Sequence, residues 1–187
     1  MLARPEEGQS NALLSPRAAG RAAGALFLAS GVLSIPIALF VTRPALMLLV
    51  SAGAMLTGAI ALRVPWHRWP RSTTLVMLLP AFALLVVANE LIENPYSYGG
   101  YFVLLFMWVG LAQPSWTAVK VVPLAIAAFL APGLWSDLPD LAVQALVVVV
   151  PVWVVVGETL AWTTARVRSA EMADVRRARE MESLLAA

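Results

Sequence analysis

Residues 138–165 read LPDLAVQALVVVVPVWVVVGETLAWTTA, and this stretch decides the fold class. It contains two acidic residues, Asp140 near its start and Glu158 near its end, and no basic residue. A helix of roughly 20 apolar residues crosses a bilayer core about 30 Å thick. The stretch therefore predicts a transmembrane helix, because a soluble fold would lack the polar surface to keep so long a run dry.

Five earlier segments share this apolar character, and the gaps between them carry turn residues such as Gln113-Pro114-Ser115. The pattern predicts an all-α, polytopic membrane protein with six transmembrane helices. The fourth segment is the shortest, and a re-entrant fourth or fifth segment is rejected because it would move the basic C-terminal end to the other side. The five segments are Ala22–Val41, Pro44–Leu62, Ser72–Ile92, Tyr96–Ala112 and Trp116–Leu134.

Composition supports this class and excludes others. Hydrophobic residues make up 60% of the chain and charged residues 13%, whereas a soluble domain is nearer half apolar and a quarter charged. The basic residues flank the apolar segments and are not gathered on one face with aromatic residues, so no nucleic-acid partner is expected. There is no cysteine, which excludes disulfides and thiolate metal sites.

The charge distribution predicts the orientation. Lys and Arg are retained on the cytoplasmic side of short loops, and an N-terminus inside would leave only Arg43 of the 13 basic residues outside. Both ends are therefore expected in the cytoplasm, and the plasma (inner) membrane is the expected location. The predicted inside residues are Arg4, Arg17, Arg21, Arg63, Arg68, Arg71, Lys120, Arg166, Arg168, Arg176, Arg177 and Arg179.

Three regions follow: a cytoplasmic segment at 1–21, the six-helix domain at 22–165 and a cytoplasmic helix at 166–187. The last region, RVRSAEMADVRRAREMESLLAA, lacks Gly and Pro and is expected to continue the sixth span as a helix. A rough apolar stripe suits either a homodimeric coiled coil or a solvated amphipathic helix. The sequence stops without a helix-ending signal, which favours a longer parent protein. The stripe consists of Val167, Met172, Val175, Ala178, Met181 and Leu185.

Two charged residues near the end of the sixth span are candidates for coupling the membrane domain to this helix. Glu158 lies inside the span, where a carboxylate is costly and usually faces protein or water. Arg166 follows eight residues later, about 12 Å along a helix. Glu158 is either a polar coupling site, paired with an arginine of the 63–71 loop, or an interfacial carboxylate that reaches water.

A second candidate group lies around the predicted outer loop between the third and fourth spans. Acidic and aromatic side chains together suit a cation or a small polar ligand, and the alternative is a solvated loop with interfacial tyrosines. The group consists of Asn89, Glu90, Glu93, Tyr96, Tyr98 and Tyr101.

The remaining polar residues predict no chemistry. His67 is the only histidine and belongs to an interfacial basic loop that favours anionic lipid. Small residues at Gly24, Gly31, Gly53 and Thr57 favour close helix approach. The chain has no phosphate-binding glycine loop and no nucleophile with a base, so we expect no catalytic residue, metal site or cofactor, and no enzyme in this chain.

Several short motifs occur in a characteristic order. They are Pro65-Trp66-His67-Arg68-Trp69-Pro70, Leu79-Pro80-Ala81-Phe82, Asn94-Pro95-Tyr96-Ser97-Tyr98-Gly99, Trp108-Val109-Gly110-Leu111 and Val156-Gly157-Glu158-Thr159. In this order the motifs resemble the N-terminal membrane domain of actinobacterial signalling proteins, in which six spans are joined by a helix to a cytoplasmic output. That output is often a diguanylate cyclase (GGDEF) domain, sometimes with GAF, PAS or EAL domains, and six-span class III adenylate cyclases have a similar plan.

The resemblance implies a sensory or anchoring module that signals through its sixth span and C-terminal helix. The nucleotide cyclase chemistry would belong to a domain absent from this chain. Three alternatives stay open: a small transporter or partner-binding membrane protein, a purely structural anchor, and a membrane enzyme that uses Glu90 and Glu158.

Overall fold

The computed structural model describes residues 15–92, 98–134 and 139–185, and these residues are helical apart from short turns. Six α-helices carry the fold, and four short 3₁₀ segments extend or connect them. The α-helices are α1 (Pro16–Ser34), α2 (Pro44–Arg63), α3 (Leu78–Leu91), α4 (Gly99–Ala112), α5 (Thr117–Leu130) and α6 (Pro139–Leu185). The 3₁₀ segments are Pro36–Phe40, Trp66–Arg68, Arg71–Met77 and Ala131–Leu134.

Proline and a capping serine determine where the first helix starts. The Ser15 side chain accepts a hydrogen bond from the Ala18 amide at 3.2 Å, and Pro16 occupies the first turn, where its missing N–H costs nothing. Helix α1 therefore begins before the predicted span at Ala22. Helices α2 and α6 likewise start at prolines, Pro44 and Pro139.

Four helical segments are long and apolar enough to cross a membrane, which indicates a membrane protein. Large apolar side chains on two of them point outward, with exposures of 86% for Phe40 and 73% for Val147. Outward-facing apolar side chains on helices of this length are compatible with contact to lipid. The four segments are Pro16–Phe40, Pro44–Arg63, Arg71–Leu91 and Gln144–Ala170.

The predicted fourth and fifth spans correspond to shorter helices. Helices α4 and α5 have 14 residues each, which gives about 21 Å at 1.5 Å per residue, less than the bilayer core. The all-helical prediction is confirmed for the described residues, which contain four span-length segments and two shorter apolar helices. The count of six spans stays a prediction.

Contacts between the helices define their directions. Gly20 and Gly31 of α1 face Trp66 and Met55 respectively, so α1 and α2 are antiparallel. In the same way Gln113 contacts Thr74 while Phe102 contacts Phe82, so α3 and α4 are antiparallel.

Helix α6 runs parallel to α4 and antiparallel to α5. From its start to its end, α4 contacts α6 first through Phe102 and Trp153 and then through Gly110 and Gly157, so the two helices run in the same direction. Trp116, in the turn between α4 and α5, contacts Glu158, so α5 starts beside this later part of α6 and runs back along it. The start of α1, the ends of α2 and α4 and the C-terminal part of α6 thus lie together. We call this the basic end, because Arg17, Arg21, Arg63, Arg68, Arg71, Arg166 and Arg168 occur in these elements and in the short segments next to them.

Two glycine pairs allow the closest helix approaches. A Cβ atom added at Gly24 would lie 3.0 Å from the Gly58 carbonyl oxygen, and one added at Gly110 would collide with the Gly157 carbonyl. The expected close approach at Gly24 and Gly31 is confirmed. Gly53 makes no such approach, because an added Cβ would only reach Leu84 at an ordinary 3.4 Å.

An aromatic cluster fills the centre between α4, α5 and α6. Trp153 is fully buried and stacks on Phe102 and Phe106 with ring centroids 4.8 and 5.5 Å away. Phe129 meets the indole edge-on at 5.6 Å. Aromatic pairs in these geometries stabilise packing beyond the area they bury, so α6 is anchored within the bundle at this cluster.

Helix α6 then leaves the bundle without a break. It has 47 residues, about 70 Å at 1.5 Å per residue, and its span-like part ends at Ala170. The apolar segment Gln144–Ala170 therefore continues as the same helix to Leu185, as the sequence predicted.

Candidate functional site

The turn between α4 and α5 (residues 113–116) is the point where the membrane helices and α6 are joined by polar groups. Trp116 takes a left-handed conformation with φ 70°, which costs an ordinary residue roughly 1–2 kcal/mol. Its backbone amide donates a hydrogen bond to Glu158 Oε2 at 2.8 Å. A carboxylate of α6 therefore stabilises the strained start of α5.

The second oxygen of this carboxylate is less well satisfied. Glu158 Oε1 is buried and has no hydrogen-bond partner among the described residues. Buried polar atoms are nearly always paired, so this oxygen makes the junction sensitive to local repacking. Glu158 is thus a partly buried carboxylate at the basic end that contacts the start of another helix, and its role in coupling stays a prediction.

On the opposite side of the turn, the residues before α3 bind the end of α4. Arg71 Nε donates to the Ala112 carbonyl oxygen at 2.6 Å. The buried Gln113 side chain donates to Thr74 Oγ1 at 2.8 Å, and that hydroxyl donates to the Arg71 carbonyl at 2.9 Å. The α4–α5 turn is therefore held on one side by the 3₁₀ segment Arg71–Met77 and on the other side by Glu158 of α6.

Arg166, the second residue of the coupling hypothesis, makes a different contact from Glu158. Its guanidinium lies over the Trp162 ring, 3.6 Å from the centroid. Such a cation–π contact is worth about 0.5–1 kcal/mol at an exposed site. Arg166 therefore belongs to the exit of α6 from the bundle, one turn after Trp162.

The described residues of the predicted outer group differ in their exposure and contacts. Asn89 is buried, with an Oδ1 atom that has no partner among the described residues, whereas the neighbouring Glu90 is exposed. Tyr98 and Tyr101 stack with centroids 5.0 Å apart. Glu93 and Tyr96 lie outside the described residues, so the ligand site at this group stays a prediction.

Tyr98 points into the bundle, at the end opposite the basic end. The residue is 3% exposed, and its hydroxyl donates to Ser34 Oγ at 3.4 Å. Both tyrosines border an apolar groove between α1, α2, α3 and α4 with a cavity of about 70 Å³. That volume is far below the roughly 300–1,000 Å³ of a drug-sized ligand site.

Within the described residues, no three of His, Asp and Glu lie close enough to hold a metal ion. Sequence reasoning identified Glu158 but missed its actual partner, the amide of Trp116, and the pairing of Gln113 with Thr74 in the same turn. The polar Gln113 beside Pro114 after an apolar run was the one available signal, because a buried amide needs a partner.

Comparisons with protein-family models, with curated proteins and with solved structures gave no match.

Proposed function

We propose that this chain is a membrane-embedded sensory module that transmits a signal through α6 to a cytoplasmic output domain. The output in the proteins that it resembles is often a diguanylate cyclase. The observation that carries the proposal is the single helix α6, which begins in the bundle and extends beyond it to Leu185.

The contacts of α6 inside the bundle support transmission. Trp153 sits in the aromatic cluster, Gly157 packs against Gly110 and Glu158 binds the α4–α5 turn. All three lie within two turns of helix. A change in packing of α4 or α5 would therefore act on α6 directly, and a helix passes rotation or translation along its length.

Signalling further requires two arrangements whose populations a stimulus shifts. The Glu158 junction supplies a suitable element, because it combines a strained Trp116 backbone with a buried carboxylate oxygen that has no partner among the described residues. A modest rearrangement there can exchange one set of polar contacts for another.

We further propose that the module has six spans, with both ends cytoplasmic, and that two copies associate through the extension of α6. Val167 and Met181 are exposed, at 44% and 60%. They lie two heptads apart, so they share one helix face. Burial of that face against a second copy would bring two output domains together, which cyclase dimers require.

The experiment joins the complete chain to a diguanylate cyclase catalytic domain and measures cyclic di-GMP formation in membranes, per inserted protein. We expect Glu158→Gln to change the rate at least about three-fold, because this substitution alters the junction and leaves insertion intact. The control is Arg43→Gln, which also replaces an exposed charged side chain by glutamine and lies in neither candidate group. Equal rates in the wild type, in both variants and in a fusion to an unrelated anchor would make the chain a structural anchor.

A further inference from the structure

A cleft at the basic end gathers positive charge from two helices. Arg17 and Arg21 lie one turn apart on α1, and Arg63 is the last residue of α2. His67 follows in the 3₁₀ turn after α2. These four side chains, with Leu62 and residues 64–66, border a cavity of about 210 Å³.

The Trp66 side chain holds together the two segments that border this cleft. The residue is 3% exposed, and its ring lies directly against Gly20, where a Cβ atom would collide with the indole. Its Nε1 donates to the Ala61 carbonyl at 2.6 Å. These contacts hold the turn after α2 against the face of α1 that carries Arg17 and Arg21. Arg21 and Trp66, some 45 positions apart in sequence, therefore border the same cleft.

Within the described part of the chain, no acidic residue borders the cleft. Neither Arg17, Arg21 nor Arg63 forms an ion pair with another described residue. Guanidinium groups present fixed pairs of N–H donors that match the oxygens of a phosphate. A cavity of this volume holds several waters of about 30 Å³ each, which is room for one phosphate ester group.

The surroundings favour a lipid as the source of that phosphate. The cleft lies where two span-length segments, Pro16–Phe40 and Pro44–Arg63, begin and end. Leu62 contributes an exposed apolar wall, and the nearby Trp69 is 49% exposed, as is typical of a side chain at the headgroup level. We propose that this cleft binds the phosphate group of an anionic phospholipid.

This proposal extends the sequence-based expectation for the His67 loop by adding the two arginines of α1, and it does not rest on the signalling function. The purified chain in detergent micelles is titrated with phosphatidylglycerol or phosphatidylcholine, and bound lipid is counted by native mass spectrometry. We expect preference for phosphatidylglycerol. Basic residues near a lipid surface contribute about five-fold each in affinity, so Arg21→Gln with Arg63→Gln should weaken binding about 25-fold.

The matched control removes the same charge elsewhere, through Arg43→Gln with Lys120→Gln, and should change binding less than about two-fold. Circular dichroism verifies that both double variants remain helical. Equal loss in the two double variants would overturn the site, because the effect would then follow net charge alone. Equal binding of the two lipids would overturn it as well.

Glycerol 3-phosphate added as a competitor separates the two possible sources of the phosphate group. The proposal expects no displacement of phosphatidylglycerol at millimolar competitor, since the apolar wall contributes to binding. Full displacement by the soluble phosphate would assign the cleft to a free phosphate ester instead and overturn the lipid proposal.

Discussion

The carboxylate of Glu158 on α6 accepts a hydrogen bond from the backbone amide of Trp116, with Oε2 2.8 Å from the nitrogen. The two residues are 42 positions apart in sequence, and their contact connects the turn before α5 to the helix that leaves the bundle. A bond to a charged acceptor is worth about 1.5–3 kcal/mol.

Removal of this acceptor should destabilise the bundle. We expect Glu158→Ala to lower the free energy of unfolding in detergent micelles by about 1.5–3 kcal/mol. Glu158→Gln should cost less, because its amide oxygen still accepts the Trp116 amide. The control Glu90→Ala should change stability by less than about 0.5 kcal/mol, and equal losses for Glu158→Ala and Glu90→Ala would contradict the contact.

The left-handed backbone at Trp116 makes a second prediction. Because a Cβ atom is unfavourable at φ 70°, Trp116→Gly should be more stable than Trp116→Ala. The relief of roughly 1–2 kcal/mol exceeds the extra entropy cost of glycine, about 0.5–1 kcal/mol. Thermal unfolding of the two variants measures the difference. A more stable alanine variant would place this residue in an ordinary conformation.

The contact of α4 with α6 leaves no room for a methyl group. Gly110→Ala should destabilise the protein by about 1–3 kcal/mol, since overpacking forces the helices apart. The same change at Gly53, where the nearest side-chain atom would be 3.4 Å away, should be neutral or slightly stabilising. If both variants unfold at the same denaturant concentration, Gly110 and Gly157 are not in direct backbone contact.

Trp153 carries a buried donor that has no acceptor among the described residues. Trp153→Phe removes that donor and keeps an aromatic ring. Because an unpaired buried donor costs about 1–3 kcal/mol, its removal offsets the packing that is lost, and we expect the free energy of unfolding to change by no more than about 1 kcal/mol. Trp153→Ala should cost about 3–5 kcal/mol. A loss above about 2 kcal/mol for the phenylalanine variant would mean that the indole nitrogen is hydrogen-bonded.

Features set by local composition could be predicted from the sequence. The apolar runs predicted the helical class, the proline at position 44 predicted the start of α2, and the absence of Gly and Pro after Arg166 predicted the unbroken extension of α6. Each follows from helix propensity or from the length needed to cross a bilayer. Gly24 and Gly31 were also recognisable as close-approach positions.

Features that depend on neighbours distant in sequence could not be predicted. The partner of Glu158 is a backbone amide made available by the left-handed Trp116, and no residue pattern signals that conformation at a tryptophan. To predict the pairing of Gln113 with Thr74, or of Gly110 with Gly157, one must know which helices are neighbours and how they are aligned. The ends of the fourth and fifth helices were not predictable either. Helix α4 ends at Ala112, before the turn that contains Gln113, and α5 ends at Leu130. Both helices are therefore shorter than the thickness of the bilayer core.

We propose that α6 transmits changes in the bundle as rotation or translation along one continuous helix. The most direct measurement inserts one to seven alanines after Ala173, beyond the span-like part of α6, in the fusion to a diguanylate cyclase domain. Each inserted alanine rotates the cyclase domain by about 100° relative to the bundle and moves it about 1.5 Å away. If α6 transmits in this way, cyclic di-GMP production should rise and fall with a period of about 3.6 inserted residues. Production independent of insertion length would contradict it.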